Sequence, residues 1–466
     1  MCGIDGVIYL LRIVRPTVQH CAAGLNLGQR QVNSMQTSSN YFYDYILNGC
    51  CEMGRALLEA GAGIKRVEST VCHIMTTYGV FGEVSAIPTA LIVSLTSPDG
   101  RSYSRMCRIV PATVNIEVIE RLNALSRAIY EAPPEARQLP ALIRQVMAHC
   151  RSYSLPALLV GYFLGAFFFT FFFRGGWAEA CTAGVAGTAA GLCNILLERL
   201  QPGIFFKTAA SATVLGIVAY GIYALGISIN VEIALIGGLM VLVPGLIFTN
   251  FMSNFIEGDA LAGFISVIQC VIRTLAMAVG ISIACAFWQH LGLTTEGTGQ
   301  EVLYGPVLQC AISFFACCSF SVLYNIHGWG TFLCCIGGAV SWAVYLTGEH
   351  LLANPYLSCF LSIVIVAIYA QLMARIRKYP VTAYLIVSYF PLIPGADIYN
   401  TMRYVLSGQL LPALHHGIHA AGIAACMALA SLLVSSLIQM AKLCHRRMSA
   451  VSPADAIPVK SEKTHM

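Results

Sequence analysis

Residues 242–261 read LVPGLIFTNFMSNFIEGDAL, and 150 positions later residues 392–411 read LIPGADIYNTMRYVLSGQLL. The two segments share a Pro-Gly pair and three later residues at this constant offset, namely Pro244/Pro394, Gly245/Gly395, Asn250/Asn400, Met252/Met402 and Gly258/Gly408. A Gly-Trp dipeptide at Gly176 also recurs, at nearly the same offset, at Gly328. The sequence therefore predicts an internal duplication.

The composition around this repeat is that of a membrane protein. Hydrophobic residues make up 57% of the 466 residues and charged residues only 11%, whereas ordinary soluble domains carry roughly 25% charged residues. The charge is also uneven, because 25 of the 49 charged residues lie in the first 151. We therefore predict a soluble amino-terminal domain followed by a region embedded in lipid.

Ten apolar runs meet or approach the length of roughly 20 residues that a membrane-spanning helix needs. They cover residues 152–173, 180–197, 208–231, 233–256, 261–288, two runs within 302–348 divided at 325–328, then 351–374, 379–399 and 410–441. The duplication assigns five spans to each half, and an odd number makes the halves enter the membrane from opposite faces. The predicted fold is an α-helical polytopic membrane protein with ten transmembrane helices in two inverted five-helix repeats.

The amino-terminal region predicts a small α+β domain. Helical spacing of apolar residues, a turn at Pro98-Asp99-Gly100 and the helix breaker Pro133-Pro134 place helices on both sides of a small sheet. The predicted units are a disordered extension at 1–40 with Met35 as an alternative start, the α+β domain at 41–151, membrane repeats at 152–290 and 302–441, and a tail at 442–466. The first residues do not resemble a signal peptide.

Basic residues predict the orientation. Most of those next to the spans fall on the side of the amino-terminal domain, namely Arg151, Arg199, Lys207, Arg375, Arg377, Lys378, Lys442, Arg446 and Arg447, against Arg174 and Arg403 opposite. Because Lys and Arg are enriched in cytoplasmic loops, we predict a multi-pass protein of the cell membrane with a cytoplasmic amino-terminal domain and both termini cytoplasmic.

The duplicated Pro-Gly pairs predict the transport site. Proline removes a backbone donor inside an apolar run, and the carbonyls left without a partner must face protein or water. Broken helices at corresponding positions of two halves are typical of transporter binding sites, although a kink that serves packing is the alternative. The predicted substrate-binding residues are Pro244, Gly245, Asn250, Pro394, Gly395, Asp397 and Asn400.

Polar side chains at membrane depth are predicted to serve coupling, because each would be costly against lipid. These are Arg273 and the pair Gln269 and His419, which stand 150 positions apart. The alternatives are snorkelling or an ion pair for Arg273, and a hydrogen-bonded interior imidazole for His415, His416 and His419 taken singly. Glu257, Asp259 and Arg403 are predicted to be solvated charges in short connections.

Three ordered segments carry a family resemblance: GAGIKRVESTVCHIMTTYGV with IPTALIVSLTS at 61–97, then the two Pro-Gly segments. From about Tyr41 to Ala441 the chain resembles the fused form of the threonine/serine exporter family, and Arg66 and Glu68 lie in its amino-domain motif. The resemblance implies proton-coupled secondary export of threonine and serine from the cytoplasm. Alternating access is predicted from the inverted repeat, and Asp397 or His419 is predicted to carry the proton, because burial in the membrane raises the pKa of a carboxylate and histidine titrates near neutrality. Some relatives of this family are split into two chains and are associated with the export of dicarboxylates, so a succinate-type exporter is the alternative. The family often has carboxylates where this chain has Gln269 and His419, and an uncharged residue at Asp397.

Other classes find less support in the sequence. A hydrolytic amino-terminal domain using Ser69, His73 or Glu83 would need a motif such as a nucleophile elbow or HExxH, which the sequence lacks, so we predict a protein that is not an enzyme. A channel or receptor remains an alternative. The 19 cysteines show no metal-ligand spacing, so no metal or cofactor is predicted. A net charge of +5 without a basic face predicts no nucleic-acid partner, and nothing indicates the oligomeric state.

Overall fold

The computed structural model describes residues 31–110, 114–200, 202–228, 230–245, 247, 254, 259–293, 302–377 and 381–450. Within these ranges the chain is mostly helical, with one three-stranded sheet near the amino terminus. Asn250 and Glu257, two residues singled out above, lie outside the described ranges. Residues 1–30 of the predicted extension at 1–40 and residues 451–466 of the predicted tail at 442–466 lie outside them as well, whereas residues 31–40 and 442–450 are helical.

The amino-terminal region folds as helices packed on an antiparallel sheet of order β1-β2-β3. Its elements are α1 (Gln31–Glu59), α2 (Ile64–Thr77), β1 (Phe81–Ile87), β2 (Ala90–Thr96), β3 (Ser102–Arg108), α3 (Ile116–Glu131) and α4 (Leu139–Ala148). The predicted hairpin turns at Gly100, whose φ of 82° suits glycine. Alternate residues of β2, namely Leu91, Val93 and Leu95, are buried against the helices, so one face of the sheet forms the core.

Eight described helices are long and apolar enough to cross a membrane. They are α5 (Leu155–Phe172), α6 (Trp177–Glu198), α7 (Ile204–Ala224), α9 (Ala260–His290), α10 (Pro306–Leu323), α11 (Trp329–Leu352), α12 (Pro355–Arg377) and α15 (Leu410–Ala450). The repeated Trp177 and Trp329 each begin a helix. These eight helices correspond to eight of the ten predicted spans.

The remaining two predicted spans are interrupted. Helix α8 (Val231–Leu239) ends five residues before Pro244. In the second half, α13 (Val381–Tyr389) is followed by a 3-10 turn (Phe390–Leu392), and α14 (Gly395–Leu406) begins after Pro394. Because none of these short helices is long enough to span alone, the number of ten spans stays a prediction.

The two halves repeat the same helix contacts. Within the first half, α6 packs against α5, α7 and α8, and α7 packs against α9. Within the second, α11 packs against α10, α12 and α13, and α12 packs against α15. Helices α5 and α10 join the halves. The duplication seen in the sequence is therefore accompanied by matching contacts, while the inverted relation of the halves stays a prediction.

A buried asparagine joins the amino-terminal domain to the turn between α10 and α11. Asn325, with φ 58°, donates from Nδ2 to Asn115 Oδ1 at 3.0 Å and to the Arg151 carbonyl at 2.7 Å. Its Oδ1 accepts from the Tyr153 backbone N–H at 3.3 Å. The Tyr153 ring stacks on His327 with centroids 4.2 Å apart. One side chain thus ties the domain to the first and second halves together.

Replacement of this residue is expected to be costly. In Asn325→Ala the partners at Asn115 and Arg151 lose their donor, and alanine disfavours a positive φ, so we expect a loss of about 3 kcal/mol in unfolding free energy. Thermal unfolding of the purified proteins measures it. Asn325→Gly keeps the backbone conformation and should lose about 1 kcal/mol less. An unchanged midpoint for Asn325→Ala would show that these contacts contribute nothing.

Candidate transport site

The two Pro-Gly breaks have the same backbone turn. At the first, the Gly245 N–H donates to the Val243 carbonyl at 2.8 Å, and at the second the Gly395 N–H donates to the Ile393 carbonyl at 2.7 Å. Pro394, at the centre of the second turn, has φ −76° and ψ 56°, the values of an inverse γ-turn. The duplicated sequence therefore produces the same local structure twice.

The breaks also lie against each other, although 150 residues separate them. A methyl group added at Gly245 would come within 2.7 Å of Ile393 Cδ1, next to the second break. One added at Gly395 would come within 2.5 Å of Met240 Sδ, next to the first. All four Pro and Gly residues of the two pairs are buried. Only glycine permits so close an approach at both positions, so the breaks form one crossing in the interior.

Aromatic rings from both halves pack beside this crossing. Phe390, in the turn before Pro394, stacks on Phe320 of α10 with centroids 3.6 Å apart. Phe169 of α5 lies 6.1 Å from the same ring, and Tyr324 lies 5.8 Å from it. These contacts hold the second break against the central helices α5 and α10.

A carboxylate and two imidazoles meet just beyond the second break. Asp397 lies in the first turn of α14, and its Oδ1 is 2.6 Å from His416 Nδ1 while its Oδ2 is 2.8 Å from His419 Nδ1, both on α15. The three side chains are between 23% and 33% exposed. His416 stacks on Tyr404, and His419 lies beside Tyr356. A proton can therefore pass among these three groups, and water can reach them.

This cluster occurs in one half only. At the offset of 150 residues, Asp397 corresponds to Ile247, His416 to Ser266 and His419 to Gln269. Ser266 is buried and its hydroxyl donates to the Ala262 carbonyl of its own helix. The scaffold of the crossing is thus duplicated, whereas the titratable groups are not.

The other predicted polar residues lie near the crossing with different surroundings. Asn400 is half-buried one turn beyond Asp397, and Gln269 is half-buried on α9. Cys270, the neighbour of Gln269, packs with Ile398 of α14 and Ile247 beyond the first break. One turn further along α9, the Arg273 Nε is buried and no described residue accepts a hydrogen bond from it. Helix α9 therefore presents polar groups close to both breaks.

Arg66 and Glu68 belong to a different place, the amino-terminal domain. The Glu68 Oε1 accepts from the Ala86 backbone N–H at 2.9 Å, which ties α2 to β1. Arg66 lines a cavity that also touches Val381 at the start of α13. Burial lowers the pKa of the Arg66 guanidinium, and the positive charge of Arg127 lowers it further. The two motif residues thus serve the domain and its contact with α13, outside the crossing.

Two charges predicted to lie in solvated connections have structural partners. Arg403 is in the last turn of α14, so its placement in a loop was wrong, because the helix continues to Leu406. Its Nη1 is 3.3 Å from Glu232 Oε1 on α8. This ion pair joins the helix that precedes the first break to the helix that follows the second. Asp259 caps α9 by accepting from the Ala262 N–H at 3.0 Å.

Two residues of the hydrolytic alternative, Ser69 and His73, line one cavity, but Glu83 does not. Ser69 donates its hydroxyl hydrogen to the Arg66 carbonyl at 3.1 Å, and His73 lies beside Tyr130. Glu83 lines a separate cavity with Cys72 and Ser94. The three groups therefore do not form one nucleophile, base and acid arrangement.

Sequence reasoning missed some residues of the site. His416 was treated as an ordinary interior imidazole, yet its spacing of three from His419 puts both on one helix face. Met240 and Ile393, which contact the glycines of the opposite break, are apolar residues in apolar runs and carried no signal.

The fold and the crossing together define a multi-pass helical membrane protein in which two matched helix breaks meet. A family model described as "Putative threonine/serine exporter" matches residues 48–288, and one described as "Threonine/Serine exporter, ThrE" matches residues 309–437. The chain belongs to the threonine/serine exporter family. This membership indicates a transporter of a small molecule across a lipid bilayer rather than an enzyme. Comparison with curated proteins gave no match, and comparison with solved structures gave none.

Proposed function

We propose that the chain exports threonine and serine from the cytoplasm across the cell membrane by alternating access, with the substrate bound where the two helix breaks cross. The observation that carries this proposal is the meeting of two identical Pro-Gly turns from the two halves. Because each break leaves backbone groups beside the other, a small zwitterion can be held largely by main-chain atoms. Inverted five-helix halves would then rock about this point.

The electrostatics of the crossing suit an amino acid. Helix α14 begins at Gly395, and its amino end favours a negative group such as the substrate carboxylate. Asp397, in the same turn, supplies a negative charge that attracts the substrate ammonium. A dicarboxylate would meet this charge with like charge.

The proton is proposed to be carried by Asp397 together with His416 and His419. Both imidazoles lie within hydrogen-bond distance of the Asp397 carboxylate, and all three side chains are partly exposed. Histidine is the side chain whose charge changes in the physiological pH range. Proton binding on one side of the membrane and release on the other, as the halves rock, would couple export to the proton gradient.

The proposed orientation places the amino-terminal domain and both termini in the cytoplasm. Its support is the excess of basic residues beside the spans on the domain side. The turn at Asn325, between the sixth and seventh predicted spans, contacts the same domain, as this topology requires.

Counterflow separates a carrier from a channel. We expect purified protein in liposomes loaded with unlabelled threonine to take up labelled threonine transiently above equilibrium, with saturable rates, because a carrier exchanges substrate across one alternating site. Serine should compete for this uptake, and succinate should not. Uptake that rises linearly with concentration and shows no overshoot would indicate a channel and overturn the proposal. Competition by succinate alone would move the substrate class to dicarboxylates.

A further inference from the structure

A polar cavity of about 500 Å³ opens where the amino-terminal domain approaches the broken second half. Successive turns of α2 and α3 line it together with the first residue of α13. The side chains that matter here are Arg66, His73, Asn123, Ser126, Arg127 and Val381. The cavity is separate from the crossing, since the nine residues of α13 (Val381–Tyr389) lie between them, about 13 Å of helix.

The cavity gathers positive charge. Two guanidinium groups line it, Arg66 half-buried and Arg127 exposed, and they act on each other, since Arg127 contributes to the lowered pKa of Arg66. None of the described lining residues is an aspartate or a glutamate. Glu68 of α2 is directed to the Ala86 N–H of β1 instead. Like charges held in one cavity favour an anionic ligand.

We infer that this cavity is a binding site for a phosphate group. Guanidinium groups bind phosphate oxygens with paired, charge-assisted hydrogen bonds, and two of them match a group that carries up to two negative charges. The side chains of Asn123 and Ser126 add donors at the same wall.

Phosphate bound in this cavity would connect the amino-terminal domain to the helix that leads to the second break. A phosphate held here touches α2 and α3 of the amino-terminal domain and also the start of the helix that leads to the second break. The bound group therefore fixes the domain relative to α13. Its source is either a soluble phosphate compound or the phosphate of an anionic lipid, because the cavity lies where the amino-terminal domain meets the membrane region.

Binding can be measured on the full-length protein without reference to transport. The protein is placed in nanodiscs of zwitterionic phosphatidylcholine, and inorganic phosphate is added at constant ionic strength while heat of binding and the unfolding midpoint are recorded. Arg127→Gln is the test variant, since its side chain is exposed and the fold should tolerate it. Arg137→Gln removes an exposed arginine of the same domain that does not line the cavity.

The expected result is saturable phosphate binding to the wild-type protein and to Arg137→Gln, weakened about tenfold or more in Arg127→Gln because a charge-assisted contact is lost. A second set of nanodiscs contains phosphatidylglycerol. Stabilisation by this lipid without binding of free phosphate, lost in Arg127→Gln, identifies a lipid phosphate as the source. The inference is overturned if neither source binds, or if Arg127→Gln binds as tightly as the wild-type protein.

Discussion

The Asp397→Asn protein is expected to exchange threonine across liposome membranes with weaker affinity, because the attraction for the substrate ammonium is lost, and to lose accumulation driven by a pH gradient. Asparagine keeps the size of the side chain and can still accept one hydrogen bond, but it cannot take up the proton that His416 and His419 share with the carboxylate. For one proton per substrate, a gradient of one pH unit supplies about 1.4 kcal/mol, which is a concentration ratio of about ten. In the variant this ratio should fall to about one.

The measurement compares two assays on the same liposomes: threonine counterflow without a gradient, and net threonine movement with an imposed pH gradient. Asp259→Asn is the matched control, because asparagine preserves the helix cap at that position, and it should behave as the wild-type protein. His416→Gln and His419→Gln should each weaken coupling. If Asp397→Asn retained the full gradient-driven ratio, the cluster would have no part in coupling.

The Gly395→Ala protein is expected to be impaired at the crossing itself. The added methyl group would lie 2.5 Å from Met240 Sδ and 3.0 Å from its Cε, so the end of the Met240 side chain or the backbone of the break would have to shift. Overpacking of this kind costs about 1–3 kcal/mol, and a rise at the lower end of this range, which the flexibility of methionine favours, lowers the counterflow rate about fivefold to tenfold. Gly203→Ala, whose methyl group would meet no atom within 4 Å, should leave the rate unchanged.

The transport defect of Gly395→Ala should be partly reversed by a second substitution at Met240. Met240→Ala removes the side chain that the new methyl group meets, so the double variant Met240→Ala/Gly395→Ala should transport faster than Gly395→Ala alone. The coupling between the two substitutions is read from counterflow rates and unfolding midpoints of the four proteins. Additive effects would contradict the close approach of the breaks.

Most of the architecture could be predicted from the sequence, because a helix that crosses a lipid bilayer must consist mainly of apolar residues. Apolar runs locate eight continuous helices, and the constant offset between Pro244 and Pro394 locates both interruptions. The crossing of the breaks was not accessible. It depends on how α8 packs against α5 and how α13 packs against α10. The residues that make the contact, Met240 and Ile393, cannot be distinguished in the sequence from other apolar residues of these runs.

The polar contacts show where sequence reasoning stops. Asp397 and His419 were each recognised as costly in a membrane, but their pairing depends on the turn at Ser407 to Gln409 that folds α15 back along α14. His416 gained its importance only from that pairing. Asn325 joins partners up to 210 positions away, and neither its positive φ nor its contacts leave a pattern in the surrounding residues. Arg403 lies within the helix because α14 ends only before Ser407 and Gly408, and the φ of 74° at Gly408 is typical of a helix carboxyl end. The sequence therefore held a stop signal that the prediction of a loop did not use.

Binding of threonine to the purified protein tests the central claim that the crossed breaks hold the substrate. Calorimetric titration of threonine would be carried out on the wild-type protein, on Gly203→Ala and on Gly245→Ala/Gly395→Ala, each in detergent and with its unfolding midpoint recorded. We predict saturable binding of equal affinity in the first two proteins and binding at least about tenfold weaker in the third, in which both contacts of the crossing are altered. Equal threonine affinity in all three folded proteins would contradict it, because the substrate would then bind elsewhere.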